Sequence, residues 1–184
     1  MGEAACAENV SEDELPSPDA REAALYARFT ALGIAWKTYE HKPVFTVEEA
    51  AALYDTQPGG HTKNLFLKDR KGAFWLVVAR DTLRIDLNAL AKQISAPRFS
   101  FGSAELLMTM LGVPPGSVTP FAALNDKEKK VLVVLDEGML KLEPLNFHPL
   151  RNDRTTAIAA NDLLRFLRAD GHEPLIAALP EIAP

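Results

Sequence analysis

The chain has 184 residues, of which 47% are hydrophobic and 24% are charged, values that are ordinary for a soluble globular domain. No apolar run approaches the ~20 residues that a membrane-spanning helix needs, and no basic start followed by an apolar core indicates a signal peptide. The single cysteine, Cys6, excludes an intramolecular disulfide and a thiolate zinc cluster. We therefore expect a cytoplasmic protein that contacts no membrane.

The net charge of -5 is unevenly distributed along the chain. Residues 1–22 contain seven acidic residues and one arginine, whereas residues 63–98 contain eight basic residues and three aspartates. A local basic patch attracts phosphate groups even when the whole chain is acidic. A solvated surface with ordinary charge scatter explains the same pattern, so charge alone does not decide whether the chain binds nucleic acid.

The first predicted elements are a tail and a helix. Residues 1–16 are acidic and poor in apolar side chains, which predicts a disordered tail, and residues 17–184 are expected to form one domain. Ser17 and Pro18 are typical of a helix start. Leucine and phenylalanine then recur at helical spacing, which predicts an amphipathic helix that ends at Gly33.

A strand, a short helix and a β-hairpin are predicted next. Residues 34–39 are typical of a strand, and the capping box at 46–49 predicts a short helix that reaches about Tyr54. The strand-like segments 63–67 and 74–79 are separated by the turn sequence Asp-Arg-Lys-Gly. This arrangement predicts an antiparallel hairpin.

The rest of the chain mixes helices with short strands. Helices are predicted over 87–94 and 103–111, where Asp86 and Ser103 are N-cap residues, and over 161–169. Short strands are predicted over residues 98–101, 118–124, 131–135, 142–147 and 155–159. This irregular interleaving predicts a single-domain α/β fold with a central mixed β-sheet surrounded by helices.

Several familiar kinds of active site are absent from the sequence. It contains no P-loop, no dinucleotide-binding glycine loop and no Gly-x-Ser-x-Gly elbow. The four histidines do not pair at metal-ligand spacing, so a zinc site is not expected. We also expect no other cofactor. An enzyme that works without a metal or a protein nucleophile needs an already activated substrate such as an ester. Positioning and hydrogen-bond donors then supply most of the acceleration.

Three segments contain the candidate functional residues. Lys63 and Asn64 open a strand, where an unpaired buried cation is costly and the rim of a pocket that binds an anion is a better place. The loop Gly-Val-Pro-Pro-Gly-Ser, residues 112–117, follows a helix, and its last two amides are candidate oxyanion donors. His148 ends a later strand. Each segment alone also fits a structural role, as a solvated lysine, a helix stop and a buried core histidine.

Together the three segments resemble a known family. The order Gly-x-x-Thr-Lys-Asn-Leu-Phe-Leu, Gly-Val-x-Pro-Gly-Ser-Val-Thr-Pro-Phe and Asn-Phe-His-Pro-Leu-x-Asn is similar to that of the ProX-type prolyl-tRNA editing proteins, in the YbaK-like aminoacyl-tRNA deacylase superfamily. The resemblance covers about residues 18–170. It implies the α/β editing-domain fold and hydrolysis of the ester that joins a wrong amino acid to tRNA.

The resemblance also implies roles for individual residues. Lys63 is expected to hold the 3′-terminal adenosine or its phosphate, and the loop at 112–117 is expected to cradle the aminoacyl group opposite His148. The implied catalytic residues are Lys63, Gly116, Ser117 and His148. The implied substrate-binding residues are Asn64, Gly112 and Pro115. No protein nucleophile is implied, because water attacks the carbonyl, and whether the ribose 2′-hydroxyl assists is left open.

The basic residues that follow the hairpin are candidates for tRNA binding. Arg80, Arg84 and Arg98 are expected to contact the acceptor stem of aminoacyl-tRNA(Pro). No helix-turn-helix with a basic recognition helix is present, so DNA is not an expected partner. A transient contact with prolyl-tRNA synthetase or with an elongation factor is left open.

Three functions are weighed against one another. The ProX branch removes alanine from tRNA(Pro), so a freestanding hydrolase for mischarged Ala-tRNA(Pro) is the first hypothesis. A tRNA-binding or aminoacyl-binding module without catalytic activity is the second. A deacylase for tRNA carrying another amino acid, such as serine or cysteine, is the third.

Overall fold

The computed structural model describes residues 10–43, 49 and 52–182. In this part of the chain, eight strands form a mixed sheet, so the predicted α/β architecture is confirmed. The strands are β1 Trp36–Glu40, β2 Gly60–Asp69, β3 Phe74–Arg80, β4 Phe99–Phe101, β5 Val131–Asp136, β6 Leu145–Phe147, β7 Arg154–Ile158 and β8 Leu175–Ala177. Their order is β1-β7-β6-β2-β3-β5-β8, and β4 also pairs with β2.

Helices pack on both faces of the sheet. Those described are α1 Pro18–Leu32, α2 Leu87–Gln93, α3 Ala104–Leu111 and α4 Ala160–Ala169. The predicted N-caps are confirmed, because Ser17, Asp86 and Ser103 each accept a hydrogen bond from a main-chain N–H of the first turn. None of these helices is long and apolar enough to cross a membrane.

The hydrophobic core lies in two layers. One face of the sheet packs against α1, α3 and α4, and its largest fully buried side chains include Phe29, Phe121 and Phe166. The other face packs against α2, where Leu67 and Leu90 are fully buried. Burial of such side chains is the main stabilising contribution to a domain of this size.

The β2–β3 hairpin is the longest antiparallel pairing of the described sheet, and it confirms the predicted hairpin. Asp69 stabilises its turn, because the carboxylate accepts hydrogen bonds from the main-chain N–H groups of Lys71 and Ala73. The same carboxylate accepts a bond of 3.0 Å from the indole nitrogen of Trp75. This hairpin supplies the strand from which Lys63 and Asn64 project.

Some predicted elements differ from the structure. The strand predicted over 118–124 is wrong: Pro120–Asn125 is a 3-10 helix, since the Thr119 side chain caps it and proline occupies its first position. Strand β6 is shorter than predicted, and β8 is not in the predicted list. The helix predicted from the capping box at 46–49 falls largely outside the described residues.

The acidic tail is described only in part. Residues 1–9 lie outside the described residues, and Glu12–Glu14 forms a 3-10 turn. The main-chain N–H of Val10 donates to the Thr109 side-chain oxygen at 3.2 Å, which connects this segment to α3. The domain boundary after residue 16 stays a prediction.

Candidate active site at a gap in the sheet

The candidate site lies beside β2, where the sheet has a gap. Strand β6 pairs with β2 only at Gly60 and His61, and β4 pairs only with residues 67–69. Between these pairings, no strand in the described part of the chain covers residues 63–65 of β2 on the side away from β3, because the Thr62 hydroxyl still donates to the Asn146 carbonyl and the Phe66 carbonyl already accepts from the Gly102 N–H. The sheet therefore has an opening flanked by β6 and β4.

The main chain of Asn64 points into this gap. Hydrogen bonds join Asp81 N–H to His61 O and Asp69 N–H to Ala73 O, so the odd-numbered residues of β2 direct their main-chain groups towards β3. Since these directions alternate along an antiparallel pair, the N–H and C=O of Asn64 face the opposite side. They are positioned to bind a ligand that enters the gap.

A cavity of about 370 Å³ adjoins the gap. The residues that line it include Asn64, Phe66, Phe101, Leu107, Pro115 and Gly116. The side-chain oxygen Oδ1 of Asn64 is buried and accepts no hydrogen bond from any described residue. A buried acceptor without a donor costs about 1–3 kcal/mol, so this atom favours a ligand that brings a donor.

The loop after α3 closes one side of the cavity through two of the predicted residues. Pro115 and Gly116 line the cavity, and the φ angle of 86° at Gly116 is one that glycine adopts without strain. The N–H of Gly116 makes no hydrogen bond within the described chain. This amide remains a candidate donor to a developing oxyanion.

Two other residues of this loop do not have the geometry that was predicted. The Ser117 N–H donates to the carbonyl oxygen of Pro114 at 3.1 Å, and Ser117 is buried, so its amide is not available to an oxyanion. Gly112 ends α3 in the left-handed conformation and does not line the cavity. A Cβ atom there would lie 2.9 Å from the Asn125 side chain, so Gly112 serves the packing of the helix end.

Lys63 and Asn64 lie on opposite faces of the sheet. The unbroken register of β2 with β3 places Lys63 opposite Ala79, on the α2 face, and Asn64 opposite Val78, on the other. Partial burial lowers the pKa of Lys63, and the carboxylates of Asp81 and Glu181 oppose this shift. The asparagine lines the cavity, whereas the side chain of Lys63 leaves the same uncovered stretch of β2, which forms the rim of the gap, on the other face. Contact of Lys63 with a substrate stays a prediction.

His148 directly follows β6, on the other side of the gap. The parallel register of Gly60 with Leu145, extended by three residues, places His148 level with Lys63. The Nδ1 atom of His148 lies 2.9 Å from the carbonyl oxygen of Arg154. A carbonyl only accepts, so Nδ1 carries the proton and Nε2 of the neutral ring is an acceptor.

The environment of His148 favours its neutral form. Burial lowers the pKa of His148, and the neighbouring His41 lowers it further, against the raising effects of the Arg154 carbonyl and Asp153. The ring centroids of His41 and His148 are 6.2 Å apart. The Nε2 atom of His41 lies 2.9 Å from the Thr155 side-chain oxygen, which anchors this second ring to β7.

A network of charged residues holds the strand that positions His148. Glu22 of α1 is buried and binds the guanidinium groups of Arg151 and Arg154. The hydroxyl of Tyr26 also lies within hydrogen-bond distance of Glu22, at 3.1 Å. Because the carbonyl of Arg154 accepts the His148 proton, the network connects α1 to the ring.

The three predicted tRNA-binding arginines differ in their surroundings. Arg84 and Arg98 are exposed. The Nε atom of Arg80, by contrast, lies 2.7 Å from Oδ2 of the buried Asp136, an ion pair that ties β3 to β5. Arg80 therefore has a structural ion pair, while its side chain remains 38% exposed, and contact of the three arginines with tRNA stays a prediction.

Sequence reasoning missed several features of the site. His41, Phe101 and Glu22 were not among the predicted residues, although the two aromatic rings adjoin predicted ones. His41 and His148 are far apart in the sequence and come together only in the tertiary fold, so the spacing of the histidines did not predict this pair. Among the described residues, no group of three or more histidine, cysteine or acidic side chains is placed to hold a metal ion.

Comparisons with known proteins show which family the chain resembles. Residues 41–166 match the aminoacyl-tRNA editing domain family. The prolyl-tRNA editing protein ProX of Acetoanaerobium sticklandii is 35% identical over 155 residues, which cover 84% of this chain and 94% of that protein. Prolyl-tRNA synthetase associated domain-containing protein 1 of Bos taurus is 38% identical over 159 residues, which cover 84% of this chain and 92% of that protein.

The fold is shared with solved structures. The crystal structure of a candidate trans-editing enzyme for prolyl-tRNA synthetase has a TM-score of 0.69 to this chain at 21% sequence identity. The match covers 91% of this chain and 99% of that one. At this level of identity the similarity shows a common fold.

Proposed function

We propose that this chain, which belongs to the aminoacyl-tRNA editing domain family of hydrolytic editing enzymes, removes alanine from mischarged tRNA(Pro). Water attacks the aminoacyl ester, and the products are alanine and free tRNA(Pro). The names of the ProX and Bos taurus relatives support prolyl-tRNA as the context of the reaction. We place the reaction in the cytoplasm and the contact on the acceptor stem.

The observation that carries this proposal is the gap beside Asn64 and the cavity behind it. The α-ammonium group of an aminoacyl ester is a strong hydrogen-bond donor, and the Asn64 Oδ1 atom is a buried acceptor without a donor. An ammonium group bound there satisfies the acceptor. The alanyl group then lies in the cavity, and its ester carbonyl is directed towards the loop at Gly116.

The remaining residues have complementary roles in the proposed reaction. The Gly116 N–H stabilises the negative charge that develops on the carbonyl oxygen. The Nε2 atom of neutral His148 accepts a hydrogen bond from the attacking water or from the ribose, which orients the nucleophile. Lys63, at the rim on the other face, binds the phosphate of the terminal nucleotide. The gap lets one substrate reach both faces of the sheet.

The cavity accommodates an aminoacyl group. Its volume of about 370 Å³ holds an amino acid together with part of the terminal ribose. One methylene changes binding by only about 1–3 kcal/mol, so selection of alanine over proline depends on how the ester is positioned against Gly116 and His148. We expect proline on its cognate tRNA to be spared because its ester is positioned differently.

The test is a deacylation assay on tRNA(Pro) charged with alanine, serine, cysteine or proline. We expect the highest kcat/KM with alanine and almost no hydrolysis of Pro-tRNA(Pro). If the serine or cysteine ester is hydrolysed faster than the alanine ester, that amino acid is the preferred substrate and alanine is not. Tight binding of Ala-tRNA(Pro) without hydrolysis would instead identify a tRNA-binding module.

A further inference from the structure

Phe101, at the end of β4, is an aromatic side chain that the fold leaves uncovered. Its side chain is 69% exposed, whereas Phe99 on the same strand packs edge-on against Trp75 with ring centroids 5.6 Å apart. A single exposed apolar residue needs no explanation by itself. Phe101, however, is also one of the residues that line the cavity beside Asn64.

The strand register places Phe101 on the same face of the sheet as Lys63. Phe101 pairs with Leu67, and Leu67 is four residues from Lys63 along β2. At about 3.3 Å per residue, the two positions are separated by roughly 13 Å. A nucleotide and an extended lysine side chain together span such a distance. The rim of the gap therefore offers a planar apolar surface at one end and a cation at the other.

These features together describe a specific type of ligand. It has a flat ring for Phe101, an anionic group for Lys63 and a hydrogen-bond donor for the buried Oδ1 atom of Asn64. A nucleotide with an esterified amino acid has all three. Base stacking on aromatic side chains is a common way of holding single-stranded nucleic acid, and it tolerates any base.

We propose that Phe101 is a stacking platform for the 3′-terminal base of the tRNA. This inference rests on the proposed function and extends it, because it names the residue that binds the base while the ester occupies the cavity. Stacking on Phe101 orients the terminal nucleotide so that its ribose lies at the gap. The acceptor end must leave its helical stack to bind in this way, which a single-stranded end does readily.

The experiment measures binding, so that it does not depend on hydrolysis. Acceptor-stem RNA hairpins that end in CCA or in CC followed by an abasic nucleotide are titrated into the wild-type protein and into Phe101→Ala. We expect Phe101→Ala to weaken binding of the CCA hairpin by about 5- to 150-fold. Loss of the base should weaken wild-type binding by a similar factor, and Phe101→Ala should not weaken abasic binding further.

Two further variants separate stacking from simple apolar contact. Phe101→Trp should keep the dependence on the terminal base, and Phe101→Leu should lose most of it. Leu132→Ala is the control, since Leu132 is also an exposed apolar residue, 46% exposed, but lies on β5. It should bind both hairpins as the wild type does.

Two results would overturn the proposal. One is that Phe101→Ala weakens binding of both hairpins equally, which would mean that the side chain does not contact the base. The other is wild-type binding by Phe101→Leu, which would indicate an apolar contact such as one with a protein partner. Failure of the proposed function gives a different result. The protein would then show the expected dependence of binding on the base but would not hydrolyse Ala-tRNA(Pro).

Discussion

The Nδ1 atom of His148 donates a hydrogen bond to the carbonyl oxygen of Arg154 at 2.9 Å. This bond leaves the Nε2 atom of the neutral ring as a hydrogen-bond acceptor. Protonation of Nε2 removes that acceptor, so the site depends on an unprotonated ring. The first prediction follows from the direction in which the protein shifts the pKa of this group.

Activity should persist at lower pH than an ordinary histidine would allow. Burial is the main cause of the lowered pKa of His148, so the ring stays neutral below the usual value of about 6.5. The acidic limb of kcat/KM should therefore lie below pH ~6.5, after subtraction of the uncatalysed ester hydrolysis. His41→Gln should move the limb to higher pH, because it removes a ring that lowers the pKa. A limb at or above 6.5 in the wild type would contradict this role.

Removing the buried carboxylate of Glu22 should destabilise the protein and lower its activity. Glu22→Gln removes the charge-assisted hydrogen bonds of Glu22 to Arg151 and Arg154, which should lower the free energy of unfolding by about 1.5–3 kcal/mol. Glu40→Gln is the control, since Glu40 also pairs with Arg154 but is largely exposed, and it should cost less than about 1 kcal/mol. Denaturant unfolding measures both, and equal losses would show that burial of Glu22 has no special effect.

Lys63→Ala should remove most of the deacylation activity without destabilising the fold. Loss of one charge-assisted contact to phosphate should cost about 1.5–3 kcal/mol, or roughly tenfold to over a hundredfold in kcat/KM. Lys68→Ala is the matched control, because Lys68 lies on the same strand but on the opposite face. Single-turnover rates on Ala-tRNA(Pro) measure the effect. Equal rates for Lys63→Ala and the wild type would exclude Lys63 from the site.

Asn64→Ala should lower activity while leaving stability unchanged or slightly higher. The Oδ1 atom of Asn64 is a buried acceptor without a partner, so its removal relieves a desolvation cost in the free protein. In the complex it removes one hydrogen bond to the α-ammonium group, which should reduce kcat/KM by about tenfold. Kinetics and thermal unfolding are measured on the same variant. Clear destabilisation with unchanged kcat/KM would make Asn64 a structural residue.

The exposed arginines should affect the salt dependence of tRNA binding. Arg84→Ala and Arg98→Ala should each reduce the slope of log affinity against log salt concentration by about one unit if each contacts one phosphate. Arg80→Ala should instead lower stability, because Asp136 loses its ion-pair partner. Binding of tRNA(Pro) is measured at several salt concentrations. Unchanged slopes for Arg84→Ala and Arg98→Ala would leave both as solvated surface.

Local sequence signals predicted the parts of the fold that depend on neighbouring residues. The helix starts at Ser17 and Ser103 and the turn at Asp69 follow from capping and turn chemistry within a few residues. The strand predicted at 118–124 was wrong, because apolar residues alone do not separate a short strand from a buried 3-10 turn. Strand β8 has few residues and depends on its pairing with β5, which local sequence does not reveal.

The candidate site was predictable as a set of residues but not as an arrangement. Lys63, Asn64 and Gly116 were found from motifs, whereas the gap beside β2 depends on where β4 and β6 stop pairing. The alternation of side chains along a strand shows that Lys63 and Asn64 face opposite ways, but only once the strand is known to be regular. The availability of the Ser117 amide depended on a turn to Pro114 that the motif did not show.

The most direct test of the central claim is a crystal structure of the protein with a non-hydrolysable analogue of alanyl-adenosine, in which an amide replaces the ester. The account predicts that the alanyl group occupies the cavity between Asn64 and Gly116, with its ammonium nitrogen within about 3.2 Å of Asn64 Oδ1. Binding of the alanyl group at any other surface, with the Asn64 cavity empty, would contradict it.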